Sequence, residues 1–290
     1  MEVHTSADVE EYAAAARAFL TADPCARNVL LTVIDTVRAA PATYSAAPSF
    51  WWITDAGAVV GAASWTPPHN LLVSSLPLEA AADLAAAAVA RAKSLDRRPL
   101  GVIGPATSAR AVAAAWTAIT DDTIDRDRSI LLNVLERLTD VPVPPGDRHR
   151  ASSADLALVA AWLDASSLEI GHGSHPNAPT VAEHMVRAGH VDLWITEGRI
   201  VSMVGHRDSA GVVRVGPVYT PPEHRNHGYA RRLTYEVTAA ALQRPGIHQA
   251  MLFTDAANPV SNSIYRQAGY QARGEHLEID FAKRGRAPGH

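Results

Sequence analysis

Val212–Ala230 reads VVRVGPVYTPPEHRNHGYA, and its interpretation organises the rest of the chain. The β-branched opening predicts a strand over Val212–Tyr219. Pro221-Pro222 predicts a turn, and Arg225–Ala230 a loop running straight into a helix that reaches about Leu242. Gly216-Pro217 falls inside the strand, where proline removes a ladder donor, so the sheet is expected to open near Gly216–Val218 and leave backbone groups for a ligand. The first turn of the following helix carries unpaired N–H groups and the positive end of the helix dipole, which suit a pyrophosphate. Gly228 permits close backbone approach and Ala230 keeps the next contact small, while Arg225, Arg231 and Arg232 can add charge-assisted contacts.

Downstream, Gln249–Thr254 reads as a compact strand. Asn258-Pro259 is a helix opening, with Asn as cap and Pro in the first turn. Asn258, Ser261 and Tyr265 then share one helical face, which presents an amide, a hydroxyl and a phenol along one edge. Gly269 is expected to end that helix, Tyr270 to pack, and Gly274–Phe281 to form a last strand.

Upstream, Ser6 is expected to cap a helix through Tyr12–Leu20, and Asn28–Ala39 to form a second. Phe50–Asp55 and Ala58–Trp65 flank an Asp/Gly turn and read as a hairpin ended by Pro67-Pro68. Leu71–Ser75 is a further strand, Pro77–Lys93 a helix, Leu100–Ile103 a short strand and Ser108–Ile119 a helix. Gly104–Ser108 lacks the repeated glycines of a phosphate loop and reads as an ordinary connection. Asp121, Asp122, Asp125 and Asp127 read as an exposed loop or helix start rather than a metal site. Ser129–Leu138 is an apolar strand, and 140–151, dense in proline and charge, a linker. Beyond it, Ser152 or Ser153 caps a helix to about Leu168. Gly171–Thr180 is a loop whose Thr180 caps Val181–Ala188; His172, His175 and His184 lack regular ligand spacing. Val191–Thr196 and Arg199–His206 form a second hairpin. There Trp194-Ile-Thr-Glu197 echoes Trp52-Ile-Thr-Asp55, and the matching order of elements predicts a duplication.

Composition narrows the classes. Of 290 residues 47 % are apolar, much of it alanine, so the six Trp are expected to carry a large share of the packing. A net charge of −4 without a basic stripe argues against nucleic acid. The single Cys25 excludes an intrachain disulfide and a cysteine zinc site. The acidic first 15 residues lack a secretory pattern, and no apolar run is long enough to span a bilayer, so a cytoplasmic protein without membrane partner is expected.

Arg225, Gly228 and Ala230 match the motif Arg/Gln-x-x-Gly-x-Gly/Ala. Asn258, Ser261, Tyr265, Gly269 and Tyr270 match a later segment, Asn-x-x-Ala/Ser-x-x-x-Tyr-x-x-x-Gly-Phe/Tyr. In these features the chain resembles the GNAT superfamily of acyl-CoA-dependent N-acetyltransferases, strongly over about Val191–Phe281. The resemblance implies an α/β (α+β) fold of tandem GNAT-like domains, each a mixed, mostly antiparallel sheet with flanking helices. The expected division is a degenerate domain at 1–139, structural or acceptor-side, the linker, an intact catalytic domain at 152–282 and a flexible tail at 283–290. It implies acetyl-CoA or another short acyl-CoA as cofactor. Val218, Tyr219 and Thr220 would hold its pantetheine arm and acyl carbonyl. Asn226, His227, Gly228, Tyr229 and Ala230 would take the pyrophosphate, with Arg225, Arg231, Asn258 and Ser261 in support, and Tyr265 would contact the cofactor and protonate the leaving thiolate. The implied reaction is direct transfer of the acetyl group to a primary amine, of a small molecule first and of a protein or peptide second; a non-catalytic CoA-binding regulator is the other class. Monomer and homodimer both remain open. The strand before the loop has no carboxylate, which leaves His206, Glu223 and Asp255 as alternatives for a base.

Overall fold

The computed structural model describes residues 1–39, 44, 46–171, 173–174 and 177–283. In chain order they form β1 (Glu2–Ser6), α1 (Val9–Ala22), α2 (Asn28–Ala39), β2 (Ser49–Asp55), β3 (Ala58–Trp65), β4 (Leu71–Val73), α3 (Ala81–Ser94), β5 (Gly101–Pro105), α4 (Ala106–Ile119) and β6 (Asp122–Leu135). The same succession then recurs as β7 (Asp147–Arg150), α5 (Leu156–Glu169), α6 (Ala178–Arg187), β8 (Val191–Thr196), β9 (Arg199–Ser209), β10 (Val212–Tyr219), α7 (Tyr229–Leu242), β11 (Gln249–Asp255), α8 (Pro259–Gln267) and β12 (Tyr270–Lys283). The echoed tetrapeptides occupy equivalent hairpins. Ala56-Gly57 and Glu197-Gly198 both turn with positive φ at each central residue, the geometry that matches strand twist. Each hairpin shifts register beside its turn, at Ile53/Thr54 and at Trp194/Ile195.

The chain folds into two compact units. The first comprises Met1–Leu132, Thr254–Asn258 and the chain from Ala272 onward. Its strands run in the order β1-β2-β3-β4-β5-β12-β6, with β4 and β5 parallel. The last strand of the second repeat thus completes the sheet of the first. His276–Asp280 pair antiparallel with Gly101–Pro105. On the β6 side Arg126 pairs with Asp280 at 2.6 Å, Arg128 with Glu278, and Ser129 donates to Glu275 at 2.6 Å. Leu277, Ile279 and Phe281 enter a core with Trp51, Trp65 and Trp116, against which α3 and α4 lay faces of alanine, Leu84 and Val112. Those alanines bring little side chain, and the three Trp, each at most 2 % exposed, fill the space.

The second unit comprises Asn133–Phe253 and Pro259–Gln271, with strand order β11-β10-β9-β8-β7. α5 and α6 pack with Leu193, Met203 and Tyr219 in one apolar cluster; α7 and Tyr265 pack with Val213, Val215 and Leu252 in another.

Several sequence expectations change. The division does not follow 140–151 or end at 282: Asp147–Arg150 pair as an edge strand with Asp192–Ile195, and 272–283 join the first unit through β12. Asp122, Asp125 and Asp127 lie on β6, not in a loop or helix start, and Trp116 and Arg98 both hydrogen-bond Asp122. Asp8 rather than Ser6 caps α1, accepting from the Glu10 N–H at 2.8 Å, because Ser6 ends the unforeseen strand β1. Thr180 lies inside α6, whose preceding residue is Asn177. Ser152 does cap, in a capping box with Asp155. Cys25 is half-buried, and burial pushes its thiol up to about 11. His172, His175 and the tail at 284–290 lie outside the described residues.

Candidate active site

The site in the second unit begins where two parallel strands part. β10 and β11 pair from Val212/Gln249 to Val215/Leu252 and no further. Beyond Gly216-Pro217 β10 keeps only its β9 partners, Val218 opposite Val204 and Tyr219 opposite Met203, after a register shift. The opening expected from the proline is therefore present, and among the described residues no strand lies beside one edge of 216–219. Val218 is half-buried there; Tyr219 is buried and packs on Trp162 at 5.8 Å between ring centres. Ser202 hydrogen-bonds both the Tyr219 carbonyl and the Thr220 hydroxyl, which fixes the end of the strand.

The loop that follows is shaped by two left-handed residues, Asn226 (φ 65°) and Gly228 (φ 82°). Gly228 is the N-cap of α7 and supplies no side-chain cap, so the first amides of a 14-residue helix lack the usual Ser, Thr or Asp oxygen. A Cβ built on Gly228 would meet nothing closer than Arg231 Nη2 at 3.6 Å, so the approach to those amides is open. This is the observation that fits a diphosphate: donors without a side-chain cap, a positive dipole end, and one guanidinium nearby. Arg231 is steadied by Gln267 of α8 at 2.8 Å. Asn226 and His227 are exposed; Tyr229 and Ala230 are half-buried, with the His227 and Tyr229 rings stacked at 5.4 Å. Arg225 hydrogen-bonds the Thr220 carbonyl at 2.9 Å and pairs with Glu169 of α5. Arg232 instead points inward to Glu236, Asp140 and the Val141 carbonyl, which makes it a structural residue.

Among the described residues the first unit has no such cradle. In its equivalent stretch, between β4 and α3, the Leu76 N–H is taken by Ser108 and the Ala80 N–H by the Pro77 carbonyl. Glu79 and Asp83 put negative charge at the start of α3, where a phosphate would be repelled.

Tyr265 shares an apolar cluster with Val215 and Leu252 and with the partly buried Val218 and Tyr229, so α8 brings the phenol to the parted strands. It is 9 % exposed, and burial pushes its hydroxyl up to about 12. Tyr270 packs edge-on against it and shares a 2.6 Å hydrogen bond with Thr238, a packing role. Ser261 is half-buried on α8, whereas Asn258 belongs to the 254–258 segment of the first unit.

Of the base alternatives, Glu223 is exposed in a 3-10 turn, and Asp255 accepts from the Ala257 N–H at 2.7 Å. His206 is 3 % exposed, 3.4 Å from Asp192 and edge-on to His190, too enclosed to meet a diffusing substrate. Burial works to raise the Asp192 carboxyl, but the adjoining His206 ring and a hydrogen bond from Arg148 hold it below the usual range. Burial, with the neighbouring His206 second, lowers His190 to about 4. Asp208 opposes that shift, while Arg207 and His184 add to it. The unfolded chain therefore takes up this proton first, at about 6.5, and stability present above that pH declines as pH falls toward 4. Urea midpoints measured from pH 7.5 to 4 are expected to fall across this window, and less steeply in His190→Gln.

The geometry agrees with what comparison finds. Residues 160–270 match the acetyltransferase (GNAT) family. This segment is a GNAT domain. A GCN5-related N-acetyltransferase from Sphaerobacter thermophilus superposes with a TM-score of 0.61 at 14 % identity, over 96 % of this chain and 95 % of that one. An acetyltransferase of the GNAT family from Colwellia psychrerythraea gives 0.59 at 11 %, over 97 % and 100 %. A tandem GNAT protein from the clavulanic acid biosynthesis pathway gives 0.57 at 13 %, over 99 % and 100 %. These likenesses establish the fold, and their reach over the whole chain makes it a tandem GNAT fold. No curated protein matches the chain. Within the GNAT domain, sequence reasoning missed Glu169, Trp162 and Ser202. None sits in a local motif, and each meets β10 or its loop only through tertiary packing.

Proposed function

We propose that the protein is an N-acetyltransferase that moves an acetyl group from acetyl-CoA, or another short acyl group from its CoA ester, to a primary amine of a small molecule. The observation that carries this reading is the uncapped start of α7 beside the parted strands β10 and β11, with Tyr265 in the same cluster. Bound acetyl-CoA would supply the acyl group as a thioester, open to direct attack by the amine in a ternary complex.

The chain's own part is largely positioning. The backbone of Asn226–Ala230 donates to the diphosphate, and Arg225 and Arg231 lend it positive charge. Val218, Tyr219 and Thr220 line the arm of the cofactor along the edge of β10 that β11 leaves, with Ser261 as a polar group on α8. Holding two reactants in line is worth up to about 7–11 kcal/mol, so the site needs few acid–base groups. Tyr265 holds a proton on Oη for a departing sulfur. A net charge of −4 and a single Cys suit a cytoplasmic monomer or homodimer without nucleic-acid or membrane partners.

The direct test incubates the protein with acetyl-CoA and a broad amine panel, following free thiol and acceptor mass together. Release of thiol without an acylated product in any amine would overturn the reading. Gly228→Asp sets a carboxylate where the diphosphate is to lie. It is expected to weaken CoA about ten- to a hundredfold by calorimetry, through like-charge repulsion, with the fold retained because Asp tolerates left-handed backbone.

A further inference from the structure

We propose that Glu169 is the recognition carboxylate for a cationic acceptor amine, and that its ion pair with Arg225 is a latch that CoA binding opens. The proposal rests on the acetyltransferase reading and adds to it a substrate class and a coupling between the two ligands.

The pair joins the two halves of the site. Arg225 opens the loop that leads into α7, and Glu169 is the last residue of α5. Arg225 Nε is committed to the Thr220 carbonyl, so the loop is tied to the strand end, while its Nη2 meets Glu169 Oε1. After burial, the charges of Glu169 and then Glu223 raise the Tyr219 hydroxyl while Arg225 opposes them, so the field of Glu169 reaches Tyr219 at the strand opening. An exposed carboxylate beside the strand opening is the element that holds an organic ammonium, through charge-assisted hydrogen bonds. Leu168 and Ile170, flanking Glu169 and both exposed, add an apolar rim for a carbon chain.

Each member of the pair is a little under half exposed, so the contact is weak and readily exchanged. A diphosphate at the start of α7 offers Arg225 a stronger, doubly charged partner. Glu169 then loses its counter-charge and becomes free to take an ammonium. By reciprocity, an ammonium on Glu169 frees Arg225 for the diphosphate, and each ligand strengthens the other.

Calorimetry with coenzyme A on the full chain tests the latch. Glu169→Gln is expected to tighten coenzyme A about two- to fivefold, the range of an exposed pair. In an Arg225→Gln background the same change is expected to do nothing, and raised salt should shrink the wild-type difference. The acceptor half is read by titrating primary mono- and diamines, with matched alcohols as controls, with and without coenzyme A. Amines are expected to bind the wild type more tightly when coenzyme A is present and to lose that gain in Glu169→Gln. Unchanged or weaker coenzyme A binding in Glu169→Gln, equal effects in both backgrounds, or no amine in the panel gaining affinity with coenzyme A would overturn the proposal alone. Failure of the wild type to bind coenzyme A at all would overturn the acetyltransferase reading with it.

Discussion

A chain ending at Gln271 is expected to leave its first unit unfolded while the second stays folded. The missing strand is a central one, between β5 and β6, and its Leu277, Ile279 and Phe281 side chains are at most 6 % exposed. Burying one such side chain is worth about 1.5–3 kcal/mol. Three together approach the roughly 5–15 kcal/mol that holds a whole domain. The loss also leaves ladder groups on β5 and β6 unpaired and removes the partners of Arg126 and Arg128. The second-unit core around Leu233, Val237 and Tyr265 lies wholly before residue 272. Hydrogen exchange resolved by peptide should therefore show 49–65 and 101–119 exchanging at unfolded rates, with 201–219 still protected. A gentler version is Gly101→Val: a Cβ there falls 1.9 Å from the Ile279 carbonyl oxygen, so the two strands must separate. Full protection of 101–119 in the truncated chain would contradict the strand exchange.

That exchange marks where local reading ends. The alternation in Tyr270–Lys283 identifies a strand, but nothing in it names the sheet it joins, because pairing is decided by partners more than 100 residues away. The edge strands β1 and β7, EVHTS and DRHR, carry little strand propensity and are held by their hairpin neighbours. By contrast, the hairpins, the proline opening in β10 and the glycine entry to α7 are local chemistry, and sequence places them within a residue or two. The same boundary divides the site. Arg225 reads as a phosphate ligand from its motif, while its pairing with Thr220 and Glu169 is a tertiary fact. His206 reads as a spare base until its burial between Asp192 and His190 is seen.

Tyr265→Phe separates a chemical role from an architectural one. Among the described residues no group hydrogen-bonds the Tyr265 hydroxyl, so its removal leaves no orphaned partner. The aromatic body, which packs against Tyr270, is kept. Thermal stability is therefore expected to change by no more than about 0.5 kcal/mol, as for a substitution that disturbs no contact. CoA affinity should stay within about twofold, since the diphosphate donors belong to another element. Turnover is expected to fall about a hundredfold, the lower end for a general acid. The lower end follows from the phenol's own strength. Held at about 12, it gives up its proton less readily than an ordinary phenol, and helps most as a hydrogen-bond donor to charge developing on sulfur. That same value fixes the pH dependence: Tyr265 stays protonated through the working range, so any alkaline limb in kcat below pH 10 belongs to another group and persists in the variant. Turnover unchanged in Tyr265→Phe would remove the residue from the chemistry. Parallel losses of turnover, CoA affinity and melting temperature would make it a strut between α8 and the parted strands.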